Sequence, residues 1–179
     1  MSQRIVLIHA TPLAVAPVND TFARQWPEAE VANLLDDALS GDRGKVAALT
    51  PEFYRRIDAL VDYALSMHAA AILFTCSALG EAIDASAQRH ALPVLKPNEA
   101  MFEAALAQGN DILMLATFAP AVPSMEAEFH QLAAAQGSKA TLRTQVVAGA
   151  RDALSAGDVE RHNRLVVRSE EHTSELQSL

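Results

Sequence analysis

Residues 72–83 read ILFTCSALGEAI, and the fold is decided in this stretch. The apolar run that ends here, Ala70 to Phe74, has no polar alternation. A strand with that pattern must be covered on both faces, as in a parallel sheet flanked by helices. The four polar or small residues Thr75 to Ala78 interrupt it, and Leu79, Ile83 and Ala87 then recur at a spacing of four, which predicts a helix. Four more short apolar runs flank this unit: Ile5 to Ile8, Val31 to Leu35, Leu92 to Leu95 and Ile112 to Ala116. Strands alternating with helical segments imply an α/β fold, a doubly wound parallel sheet with right-handed crossovers.

The connecting segments carry the expected helical signals. Phe53, Ile57, Leu60, Val61, Ala64 and Leu65 form one apolar stripe, with Thr50 as N-cap and Pro51 in the first turn. Met125, Phe129, Leu132 and Ala133 repeat that logic after Pro123. Asn98 can cap a helix through Leu106 that stops at Gly109. Thr141 to Val147 alternates polar and apolar residues, which predicts a half-exposed or edge strand, with helices from about Ala150 and about Val159. The segment from Leu39 to Ala48 holds Gly41, Asp42, Arg43 and Gly44 and reads as a solvated connection that could also cover a pocket. No internal repeat is visible in the residues.

Half of the 179 residues are apolar and a fifth are charged, and the formal net charge is −8. An acidic chain without a basic cluster is not a nucleic-acid binder. The run after Met1 to Arg4 is too short for a secretory segment or a membrane span. A single cysteine excludes an intramolecular disulfide and a cysteine-rich zinc cage, and it points to the cytosol, where a lone thiol stays reduced. The histidines share no metal-ligand spacing, so no metal site is expected.

In open parallel sheets, ligands bind beyond the carboxyl ends of the strands. Three loops leave strands there with residues suited to a small anion: 9–12 (HATP), 75–78 (TCSA) and 117–120 (TFAP). Cys76 lies between a buried strand and a predicted helix start, where free N–H groups and the helix dipole would stabilise a thiolate. The same donors, with the Ser77 hydroxyl, could hold a carboxylate. A thiol beside an anion site suits proton transfer at a carbon next to a carboxylate. Its ordinary alternative is a small packed hydrophobe.

Four stretches together resemble the Asp/Glu/hydantoin racemase superfamily: RIVLIHATPLAVAP at 4–17, ILFTCSALGEAI at 72–83, LKPNEAM at 95–101 and LMLATFAPAVPSMEAEF at 113–129. The resemblance spans residues 4 to 167. It implies two pseudo-symmetric α/β halves with the active site between them, and cofactor-independent racemisation or isomerisation of a small carboxylate. In that family two cysteines, one from each half, act on opposite faces of the substrate, without a metal or organic cofactor. Carried over by position, Cys76 is the first-half thiol, Ser77 and Ala78 fall where the substrate carboxylate is bound, and Thr117 and Thr11 line the site. Ser77 stands where the family usually has Asn. Decarboxylase and cis–trans isomerase relatives share the fold, and a flavodoxin-like ligand-binding domain is the alternative outside it.

The implied halves are residues 1–97 and 98–167. Residues 168–179, RSEEHTSELQSL, resemble the translation of a sequencing-library adapter and are set apart as an added polar tail whose glutamates and His172 carry no function. On this reading the second half is incomplete, the loop with the second acid lies beyond residue 167, and the chain alone is inactive. The sequence leaves a homo-oligomer open. Of the remaining candidates, His9 reads as a satisfied structural histidine, and Asp36 and Asp37 as caps or as groups that orient a substrate amine. Lys96 reads as a surface cation or a carboxylate partner, and Trp26, Phe102, Phe118 and Phe129 as core or interface.

Overall fold

The computed structural model describes the backbone of residues 3–177 and the side chains of residues 3–170. The chain forms two compact units, one up to Met101 and one from Phe102 onward. The first is a four-stranded parallel sheet in the order β2-β1-β3-β4, made of β1 (Arg4–His9), β2 (Glu30–Leu35), β3 (Ala71–Phe74) and β4 (Val94–Leu95). β1 and β3 hold the two central positions, where Val6, Leu7, Ile8, Ile72 and Phe74 are at most 1% exposed. Central strands are covered on both faces, which is why their sequences run apolar without alternation.

β2 departs from its sequence. The run from Val31 to Leu35 predicts burial on both faces, yet β2 lies at the sheet edge and Leu35 is 47% exposed. An edge strand lacks one neighbour and part of its helical cover, which a local run of apolar residues does not encode.

Helix α1 (Val15–Gln25) connects β1 to β2, and α2 (Ala38–Arg43) with α3 (Pro51–Ser66) connects β2 to β3. Phe53, Ile57, Val61 and Ala64 of α3 are buried against the sheet. Full burial of an aliphatic or aromatic side chain contributes about 2 kcal/mol, so this stripe anchors the layer. Pro51 occupies the first turn as predicted, but the Thr50 side chain makes no capping hydrogen bond. Leu39 to Ala48 is not a loose connection: Leu39, Ser40 and Arg43 of α2 are buried.

Helix α3 ends in a paired turn in which the His68 amide donates to Leu65 O and the Ala69 amide to Ala64 O. His68 takes φ 58°, the left-handed region where a Cβ is strained. The same paired turn closes α6 (Val122–Ala135) at Gly137 and α7 (Ala150–Ser155) at Gly157, both with glycine. Replacing His68 with glycine is therefore expected to raise stability by about 1 kcal/mol. A fall in the denaturation midpoint would contradict it.

Helix α4 (Gly80–Ala87) connects β3 to β4, and α5 (Glu99–Gln108) follows and crosses the boundary between units. The second unit holds β5 (Asp111–Ala116) and β6 (Thr141–Val146) paired in parallel, with α6, α7 and α8 (Val159–Gln177). Phe102 and Phe129 are buried there and meet edge to face at 5.6 Å between ring centroids. Helix α8 continues through the polar tail to Gln177, and the tail's Glu171, His172 and Glu175 side chains lie outside the described residues.

The two units repeat one order of elements: strand, 3-10 turn, helix, strand, short helix, long helix. Six residue pairs join β1 to β2, and six join β5 to β6. The Asp36 amide donates to His9 O at the end of β1, and Val147 donates likewise to Ala116 O at the end of β5. Three residues on, Leu39 donates to Asp36 O and Ala150 to Val147 O. The repeat is kept in backbone spacing rather than in residue identity, which is why the sequence does not display it.

Candidate active site

Three strands feed the same kind of turn. Three residues after the last residue of β1, β3 and β5, the chain enters a 3-10 turn of three residues: Pro12–Ala14, Ser77–Leu79 and Ala119–Ala121. The residues that cap these turns are Thr11, Cys76 and Phe118, all in extended conformation. Cys76 therefore precedes a 3-10 turn, and the α-helix expected directly after it begins only at Gly80. The free N–H groups nearest the thiol belong to that tight turn.

Ile8 pairs with Phe74, so the loops after β1 and β3 leave adjacent strands side by side at the carboxyl edge of the sheet. This brings Thr11, Cys76, Ser77 and Ala78 to one edge. Thr11 accepts from the Leu13 amide at 3.4 Å and caps its own turn. Cys76 is half-buried and packs against the core. The Ser77 hydroxyl donates to Oδ1 of buried Asn98 at 2.8 Å. Ala78 is 1% exposed, and its carbonyl accepts from Arg43 Nε at 3.0 Å. Thr117 belongs to the second unit and follows β5 as Thr75 follows β3.

Arg43 is the residue the sequence reading missed. It is 5% exposed, donates to Ala78 O and Val46 O, and ties α2 to the turn after Cys76. The Ser40 amide donates to Ala10 O, so α2 also holds the loop after β1. The four-residue spacing of Leu39 and Arg43 was the available signal, but a six-residue helix with Gly41 inside it and Gly44 after it reads as loop.

The acidic residues after β2 serve the framework. Arg56 on α3 binds Asp36 at 2.6 and 2.8 Å and Asp42 at 2.8 Å. The Asp42 carboxyl is held below its usual range, first by the hydrogen bond from Lys45 and then by Arg56. Neither Asp36 nor Asp37 caps α2 with its side chain: Asp36 is engaged by Arg56, and Asp37, at the cap position, makes no capping bond. Lys96 reaches back to Asp84 on α4 at 2.8 Å. Trp26 is 42% exposed and stacks on Phe22, and Phe118 lies 3.7 Å beneath the Arg151 guanidinium. Among the described residues, no three His, Cys, Asp or Glu side chains come together to hold a metal, and no helix is long and apolar enough to cross a membrane.

This parallel α/β fold is like that of solved glutamate racemases. A glutamate racemase isoform from Bacillus anthracis matches with a TM-score of 0.73 at 12% identity, over 91% of this chain and 60% of that one. The glutamate racemase from Aquifex pyrophilus matches with a TM-score of 0.63 at 13% identity, over 79% of this chain and 55% of that one. The likeness is one of fold, and the chain spans somewhat over half the length of these neighbours. No family model and no curated protein sequence matches the chain.

Proposed function

We propose that this chain carries the first half of a cofactor-independent racemase or isomerase of a small carboxylate, with Cys76 as the thiol that exchanges the α-proton. The observation that carries the reading is the half-buried Cys76 at the carboxyl end of a central strand, on a fold shared with glutamate racemases. Its thiolate would take the proton from one face, and the N–H groups of the following turn would hold the substrate carboxylate. On this reading Thr11 and Ser77 face the substrate from the first unit, buried Ala78 meets it only through its backbone N–H, and Thr117 holds the corresponding place after β5 in the second unit. The chain has one cysteine, so on this reading no second thiol of its own serves the opposite face, and the chain by itself turns over little or nothing. The reading needs no metal and no organic cofactor, and it places the protein in the cytosol.

Packing of Cys76 against the core favours a second reading, a ligand-binding domain whose cysteine is inert. Iodoacetamide separates the two. A catalytic thiol is labelled at neutral pH faster than a free cysteine and is protected by small mono- and dicarboxylates such as glutamate and malonate. Labelling slower than free cysteine and indifferent to these anions would favour the second reading.

A further inference from the structure

His9 ends β1 and is fully buried, so it is not open to a substrate. Both its ring nitrogens are engaged: Nε2 lies 2.8 Å from Asn33 Oδ1 on β2, and Nδ1 lies 2.9 Å from Thr75 Oγ1. An amide oxygen only accepts, so the ring donates from Nε2, and in that tautomer Nδ1 accepts from the Thr75 hydroxyl. That hydroxyl has a second acceptor in Ile8 O at 3.4 Å, and the shorter ring contact takes the proton. The chain of bonds thus runs from β2 through β1 to the residue immediately before Cys76.

Its position in the loop gives the chain a purpose. The last backbone bond joining β3 to β1 runs from the Thr75 amide to Ile8 O at 3.0 Å. Beyond it, the peptide leaves the sheet and nothing in the ladder resists a roll about Thr75. The bond to His9 supplies that resistance on the entry side of Cys76. On the exit side, Ser77 is held by Asn98 and the Ala78 carbonyl by Arg43.

We infer that His9 is a positioning residue for the Cys76 thiol, acting through the Thr75 hydroxyl; this rests on the reading of Cys76 as the reactive thiol. His9→Leu keeps the approximate volume and releases the Thr75 hydroxyl to Ile8 O. Thr75→Val removes the hydroxyl at nearly constant shape, and Thr75→Ser keeps it.

The test is the rate of Cys76 alkylation by iodoacetamide across pH in the full chain, with far-UV circular dichroism as the check on folding. Expected is an upward shift of the alkylation pH profile and a rate at neutral pH lower by about tenfold in His9→Leu and in Thr75→Val. The double variant should be no worse than either single one, and Thr75→Ser should stay within about twofold of the parent. A merely structural histidine would lower stability and leave the profile in place. Should His9→Leu fail to fold, Thr75→Val against Thr75→Ser decides. A fast parent thiol whose profile neither His9→Leu nor Thr75→Val moves overturns the role of His9 alone. A parent thiol no faster than free cysteine overturns both the reactive-thiol reading and the inference built on it.

Discussion

Cys76→Ser is expected to lower α-proton exchange into deuterated water by roughly 10²- to 10⁴-fold, the range supplied by one positioned acid or base. A serine hydroxyl has nearly the thiol's shape, so the turn at Ser77–Leu79 and the bonds of Thr75, Ser77 and Ala78 should survive. What is lost is acidity: a thiol ionises near neutral pH when N–H groups face it, and an alcohol does not. On the proposed reading, the assay is run with the chain joined to a unit that supplies the acid for the opposite face. The substrate panel is small amino acids and dicarboxylates, followed by loss of the α-proton signal. Exchange by Cys76→Ser at the parent rate would remove Cys76 from the chemistry. In the same assay the 179-residue chain should show no racemisation, because a single thiol reaches only one face of the substrate.

Much of the first unit was legible because burial on both faces writes itself into consecutive residues. The runs at Ile5 to Ile8 and Ala70 to Phe74 became the central strands, and the stripe from Phe53 to Leu65 became α3. The alternation at Thr141 to Val147 became β6 in a two-stranded sheet. The illegible part is what depends on partners distant in sequence. Val31 to Leu35 has the composition of a central strand and lies at an edge, and Leu92 to Leu95 contributes only two residues to β4. The tight turn before α4 also escaped, because i+3 and i+4 spacings differ by one residue over a span of three.

The site was legible in its loops and not in its supports. Parallel strands place their following loops at one edge by topology alone, so Thr11, Cys76, Ser77 and Ala78 could be grouped from sequence. The side chains that hold those loops come from segments with no pattern of their own. Asn33 sits within a strand, Arg43 on a six-residue helix, and Asn98 between β4 and α5. Each is a polar residue whose partner lies 21 to 35 positions away, as in His9 with Asn33, Arg43 with Ala78 and Ser77 with Asn98. The reading of Asp36 as a cap failed for the same reason. Arg56 lies 20 residues on from Asp36, and its guanidinium outcompetes a local cap.

Phe74→Ala is expected to give the largest loss of stability, about 3–5 kcal/mol out of the 5–15 kcal/mol typical of a domain. Phe74 is 1% exposed, is the last residue of β3 and pairs with Ile8 of the other central strand. It belongs to the same core cluster as Ile57 and Val61 of α3 and Ile83 of α4, the core that both helical connections share with the sheet. Removing it leaves a cavity that two central strands cannot close by moving, since each is pinned by neighbours on both sides. Tyr63→Ala is the control: the residue is an aromatic on α3, is 59% exposed, and should cost no more than about 0.5 kcal/mol. Urea denaturation followed by far-UV circular dichroism gives both values, read as a shift of midpoint at constant slope. The cavity stands one residue before Thr75, so residual folded Phe74→Ala should also show slower, less pH-dependent alkylation of Cys76. A loss below about 1 kcal/mol for Phe74→Ala would mean that the first unit is not organised around β3, and the placement of Cys76 at the end of that strand would fall with it.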